Sequence, residues 1–134
     1  MIVANPTTLI TYGTFDMFHI GHLKLIQRLL DMSTRLIIAV STDEFNDLKG
    51  KKTIIPYAQR AEIVSNIKGV DLVIAEQNWE QKIQDIQKHN VDIFAIGDDW
   101  QGKFDFLKTH CQVCYLPRTE GISTTQLKKR LSQE

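Results

Sequence analysis

Two histidines three residues apart, His19 and His22, sit inside the run Gly13-Thr14-Phe15-Asp16-Met17-Phe18-His19-Ile20-Gly21-His22. Imidazoles offer N–H donors, and an imidazole facing phosphate can carry a full positive charge. The two glycines let a ligand come close to the backbone, and a helix start adds unpaired N–H groups and a positive dipole end. Such a set suits an anion, phosphate first. Two alternatives use the same residues: a histidine that only caps its helix, or a metal held by His-x-x-His. Zinc takes three or four ligands, and no cysteine or second histidine cluster lies nearby in sequence, so phosphate is favoured over metal.

The flanking residues supply the elements this chemistry needs. Leu9-Ile10-Thr11-Tyr12 is short and β-prone, while Leu23, Ile26, Leu29 and Leu30 recur at helical spacing, so a strand, a loop and a helix start share ten residues. Arg35 to Val40 has the continuous apolar character of a buried parallel strand. Ser41 or Thr42 then caps a short acidic helix. Lys49-Gly50-Lys51-Lys52 reads as a mobile basic loop, a solvated linker being the plain alternative. Pro56 suits the first turn of a helix from about Tyr57 to Lys68, with Ala61, Ile63, Val64 and Ile67 on its buried side.

Asp71 to Ala75 gives a third strand, and a helix from Trp79 to His89 turns Ile83 and Ile86 inward. Val91 to Ile96 is the fourth strand, ending at Gly97-Asp98-Asp99-Trp100, where acids and an indole can read and stack on a base as readily as form an ordinary acidic loop. Residues 103 to 109 make one or two helical turns, and 111 to 116 a fifth strand. Arg118-Thr119-Glu120-Gly121-Ile122-Ser123-Thr124-Thr125 leads into a last helix with Ser123 or Thr124 as cap, a second place to hold phosphate or simply a capped helix. Strands alternating with helices predict one α/β domain over residues 1–134, with a five-stranded parallel, Rossmann-like sheet covered by helices on both faces. Residues 13 to 22, 97 to 100 and 118 to 125 all follow strands, at the carboxyl edge where open α/β sheets bind ligands. Neither Gly-x-Gly-x-x-Gly after the first strand nor a P-loop occurs.

Composition narrows the partners. At 134 residues, with 16 Lys plus Arg against 16 Asp plus Glu, the chain has zero net charge, which argues against nucleic acid as a partner. The first residues carry neither a basic segment nor a sustained apolar run, so a cytoplasmic location away from membranes is expected. Cys111 and Cys114 have redox or zinc spacing, but on a strand residues three apart face opposite ways, which makes them structural thiols.

The ten-residue run resembles the signature of the cytidylyltransferases, a branch of the nucleotidyltransferase superfamily whose core is His-x-Gly-His. Ser41 to Asn46, Asn78 to Lys82, Gly97 to Trp100, Gly102 to Leu107 and Leu116 to Thr125 are similar to the same family, so the resemblance spans nearly the whole chain. It implies transfer of a cytidylyl group from CTP to a small phosphomonoester, glycerol 3-phosphate in the first place, giving CDP-glycerol and pyrophosphate. His19 and His22 would then contact the CTP phosphates, with Thr14, Phe15, Ile20 and Gly21 lining the nucleotide site. Lys51 would assist with CTP. The stretch from Arg118 through Thr119, Glu120, Gly121, Ile122, Ser123 and Thr124 to Thr125 would hold the triphosphate from the far side, with Arg118 catalytic alongside the histidines.

Asp99 would accept from the cytosine amino group. Lys49, also catalytic, and Lys82 would lie near the phosphomonoester, and Lys68 with them. Mg²⁺ would come bound mainly through the CTP phosphates, with Asp16 in its outer shell, and a homodimer is usual in the family. Two departures, Lys68 where the family carries arginine and an apolar Thr53-Ile54-Ile55-Pro56, keep a second acceptor open: another small phosphorylated alcohol or amide of capsule assembly.

Overall fold

The computed structural model describes residues 6–117. Five strands, β1 (Thr8–Gly13), β2 (Arg35–Ser41), β3 (Val70–Glu76), β4 (Ile93–Gly97) and β5 (Gln112–Leu116), form one sheet in the order β3-β2-β1-β4-β5, every neighbouring pair parallel. The chain works outward from β1 to β3, then crosses back past β1 to β4 and β5. The direction therefore changes between β1 and β4, and in such sheets the ligand crevice opens there, beyond the strands' carboxyl ends.

Helices α1 (Ile20–Asp31), α2 (Asp43–Leu48), α3 (Tyr57–Ser65) and α4 (Gln81–Lys88) complete the layers with two 3₁₀ turns, Asp98–Trp100 and Asp105–Thr109. Alternate residues of each strand feed two separate cores. Leu9, Leu36, Ile38, Val40 and Ala95 meet Ile26 and Leu29 of α1 and Val64 of α3. Ile10, Tyr12, Ile37, Ala39, Phe94 and Ile96 meet Ile86 of α4 together with Phe104 and Leu107. The predicted architecture stands.

Three local expectations are corrected. α3 ends at Ser65, short of Lys68, and Ile63 is 42% exposed, because the buried face of the helix runs through Arg60 and Val64. α4 starts at Gln81, two residues past Trp79, whose ring packs elsewhere. The basic loop is fastened: Lys49, Gly50 and Lys51 donate their backbone N–H groups to carbonyls of α2, with Lys51 reaching Asn46 at 2.8 Å. Cys111 packs toward one core and Cys114 toward the other, both as free thiols, as their strand positions require.

Candidate active site

At the carboxyl end of β1 the chain turns sharply into α1. Phe15 and Met17 adopt left-handed backbone angles, φ 55° and 48°, at a cost of about 1 kcal/mol each. Burial of the Phe15 ring among the α1-side core residues offsets that cost. The ring explains Gly13, since a Cβ there would lie 2.8 Å from it. Phe15 thus supports the site from within the core; its side chain is not an exposed wall of the nucleotide site.

His19 is the N-cap of α1. Its Nδ1 accepts from the Gly21 N–H at 3.0 Å, while the Nδ1 of His22 accepts from the His19 N–H at 3.1 Å. Both rings therefore use Nδ1 as an acceptor, which assigns the proton of each neutral imidazole to Nε2. The rings stack with centroids 4.0 Å apart, and Phe15 and Phe18 flank His22. Burial pushes the His22 imidazole down to about 4, with its neighbour His19 adding to the effect and Asp16 opposing it. Burial also lowers His19. In the protein without ligand, burial thus favours the neutral form of both rings.

Two residues, Asp16 within the motif and Arg60 far from it, lock this loop to the rest of the site. Asp16 is buried and accepts through its two carboxylate oxygens from the Ile54 and Ile55 N–H groups at 2.8 and 2.9 Å. It clips the 53–55 segment to the histidine loop. Among the described residues no group of three or more His, Cys, Asp or Glu is placed to hold a metal ion.

Arg60 is 1% exposed and donates to four acceptors: Ile55 O at 2.8 Å, Thr14 O at 2.8 Å, Ser41 O at 2.7 Å and Asp43 Oδ1 at 2.7 Å. It joins the ends of β1 and β2 to α2 and to the 53–55 segment. Its spacing of four from Val64 on α3 is the one sequence signal that could have found it. Beside it Ser41 Oγ donates to Thr14 Oγ1 at 3.0 Å. Asn46 is fully buried, and its Nδ2 has no partner among the described residues, a donor that a ligand oxygen can satisfy.

Across β1 from the histidines lies a cleft lined by Tyr12, Gly13, Thr14, Glu76, Ile96 and Phe104, with Lys49, Lys51 and Lys82 as its cations and Trp79 and Trp100 as its rim. Lys49 sits over the Phe45 ring at 4.4 Å and the Trp79 ring at 5.6 Å; burial lowers its pKa, while Glu76 works against the shift. Lys82 is buried in a 2.9 Å ion pair with Glu76. Tyr12 donates its hydroxyl to Asp85 at 2.7 Å, and Gln81 donates to the same oxygen.

Of the sequence candidates, Thr14, Lys49, Lys51 and Lys82 share this cleft, while His19 and His22 stand at the start of α1 and do not line it. Ile20 and Gly21 form the first turn of α1, and Asp99 is exposed in the 3₁₀ turn after β4. Lys68 does not join them. It is exposed in the turn before β3, at the amino-terminal edge of a sheet whose site is at the carboxyl edge, because α3 ends before reaching it. Residues 118 to 125 lie outside the described residues.

A helix start capped by two histidines and a cationic cleft both lie beyond the carboxyl ends of a parallel sheet. A solved lipopolysaccharide core biosynthesis protein from Thermoplasma volcanium shares the fold, with a TM-score of 0.73 at 20% identity over 87% of this chain and all of that one. Residues 10–130 match the family described as cytidylyltransferase-like, and the chain belongs to it. The glycerol-3-phosphate cytidylyltransferase of Bacillus spizizenii is 59% identical over 92% of this chain and 95% of its own. That of Staphylococcus aureus is 53% identical over 91% and 92%.

Proposed function

We propose that this enzyme transfers the cytidylyl group of CTP to sn-glycerol 3-phosphate, giving CDP-glycerol and pyrophosphate. The observation that carries the reading is identity of 53–59% to glycerol-3-phosphate cytidylyltransferases over nearly the full length of both chains. The two-sided cleft supports it. An oxygen of the acceptor phosphate attacks the α-phosphorus of CTP, a new P–O bond forms there, and the bond to the leaving pyrophosphate breaks. No protein nucleophile is required, so the enzyme contributes alignment and stabilisation of charge.

His19 and His22 donate Nε2–H to oxygens at the α-phosphate, where negative charge gathers, and the start of α1 adds its dipole. Thr14 and Lys51 face CTP, with Lys49 on the acceptor phosphate. Asp99 accepts from the cytosine amino group, and the residues from Arg118 to Thr125 bind the triphosphate, as their similarity to the family motif suggests. Mg²⁺ accompanies CTP and neutralises phosphate charge. Asn46 Nδ2 fits an oxygen of the bound nucleotide. The product serves teichoic acid or a related surface polymer, made in the cytoplasm by a two-fold dimer. No helix among the described residues is long and apolar enough to cross a membrane.

A pyrophosphate-release assay crossing CTP, ATP, GTP and UTP with a panel of phosphomonoesters tests the reading. CTP with glycerol 3-phosphate is expected to give the highest kcat/KM. Release with ATP alone would overturn the cytidylyl assignment, and preference for another phosphomonoester would overturn the acceptor.

A further inference from the structure

The floor of the cationic cleft holds an arrangement that the transfer reaction does not itself call for. The Lys82 ammonium lies 4.6 Å from the Tyr12 ring centroid, 5.2 Å from that of Trp79 and 5.2 Å from that of Phe104, with the Glu76 carboxylate 2.9 Å away. Three aromatic faces and one carboxylate around a single cation are the recognition set for a quaternary ammonium ligand. Here the cation belongs to the chain.

We propose that Lys82 determines acceptor specificity by filling this cage from within, so that the site takes phosphomonoesters with an uncharged alcohol end and rejects those carrying an ammonium group. The inference deepens the acceptor reading above and rests on it. Several features make the filled cage a fixed part of the cleft. The Tyr12 ring is held by its hydrogen bond to Asp85. Lys82 is 1% exposed and Glu76 4%, so the ion pair is shielded from water and salt. Trp79 is 42% exposed and packs edge-on against both Phe45 and Trp100, so the cage forms the wall that a bound molecule meets. Lys49 stands over the other part of the same indole. An acceptor with a positive end would meet Lys49 and a cage whose cation place, beside Glu76, Lys82 already fills. A polyol end meets aromatic faces with no such repulsion.

A purely structural ion pair would leave selectivity alone, and removing Lys82 separates the cases. Lys82→Ala opens a cage with Glu76 at its base. The chain's only two tryptophans, Trp79 and Trp100, both line the cleft, so intrinsic fluorescence reports on it directly. The probe is tetramethylammonium chloride, titrated against the wild type, Lys82→Ala, and Glu76→Gln with Lys82→Ala, using sodium chloride at equal ionic strength as control. The expected result is a saturable fluorescence change in Lys82→Ala, with half-saturation at least tenfold below any response of the wild type. The double variant, which has no unpaired buried charge, should bind in between.

In the pyrophosphate assay the ratio of kcat/KM for phosphocholine to that for glycerol 3-phosphate should rise at least tenfold in Lys82→Ala. A folded Lys82→Ala protein without saturable binding overturns the cage. Binding with an unchanged ratio overturns its role in specificity. Should Lys82→Ala not fold, the double variant decides: saturable binding there supports the cage and its absence overturns it. Failure of the wild type to use glycerol 3-phosphate would instead sink the acceptor reading and leave the fluorescence result standing.

Discussion

His19 and His22 cap one helix through each other's chemistry: the backbone N–H of His19 donates to the His22 ring at 3.1 Å, and the two rings stack at 4.0 Å. The His19 N–H makes Nδ1 of His22 an acceptor and the Gly21 N–H does the same for His19, which leaves the proton of each neutral ring on Nε2. The arrangement makes the tautomer a consequence of helix capping.

One expected outcome concerns protonation. The His22 pKa is lowered from 6.5 to about 4 in the folded protein, so between these values the unfolded chain binds more protons than the folded one. The contribution of His22 to stability is complete above pH 6.5 and is lost as pH falls toward 4. Nitrogen NMR of the imidazoles should show neutral, Nε2-protonated rings at pH 7 and a His22 midpoint near 4. An imidazolium signal for His22 at pH 7 would contradict the assignment.

Removing the donors should affect rate far more than fold. His19→Ala and His22→Ala are each expected to lower kcat by on the order of a hundred- to thousandfold. His19→Ala also removes a helix cap, worth about 1 kcal/mol, which thermal unfolding should register. Normal kinetics in His22→Ala would refute its place at the α-phosphate.

Arg60 gives the opposite pattern. Three of its four acceptors are backbone carbonyls and the fourth is the Asp43 carboxylate, and the guanidinium itself is buried, so Arg60→Met should destabilise by roughly 3 kcal/mol. Arg60→Lys should recover only part of this, because an ammonium cannot span the fork. Urea unfolding measures both, and a loss below about 1 kcal/mol for Arg60→Met would show that water replaces the guanidinium.

The division of the cleft can be tested with its two outer lysines. Lys49→Ala should raise KM for the phosphomonoester more than for CTP, and Lys51→Ala should do the reverse. Initial rates over both substrate concentrations give the four constants. Equal effects of either change on the two substrates would mean that the cleft is not partitioned as proposed.

Much of this architecture was legible in the sequence for a simple reason. The strands are buried on both faces and read as continuous apolar runs such as Leu36 to Val40, and the helix start at His19 is marked by a local capping pattern. Features that depend on distant partners were not legible. Arg60 looks like a surface charge until folding brings it to the carbonyls it serves, the two N–H partners of Asp16 lie nearly forty residues away, and the Glu76 partner and three surrounding rings of Lys82 come from separate parts of the chain. Ile63 and Lys68 were misplaced because apolar spacing in α3 does not reveal that its buried face runs through an arginine.

The segment between α2 and α3 has a further consequence. Its near end is tied by Lys51 N–H to Asn46 O, and its far end by Ile54 and Ile55 N–H to Asp16. Thr53 between them is held by Asp43. So little slack remains that the segment works as a gauge of fixed length, setting how far Lys49 and Lys51 stand from the histidines. Because Lys49 and Lys51 are themselves tied to α2, a residue inserted after Lys51 would be taken up before Thr53 and would loosen the link to Asp16 while leaving both lysines in place.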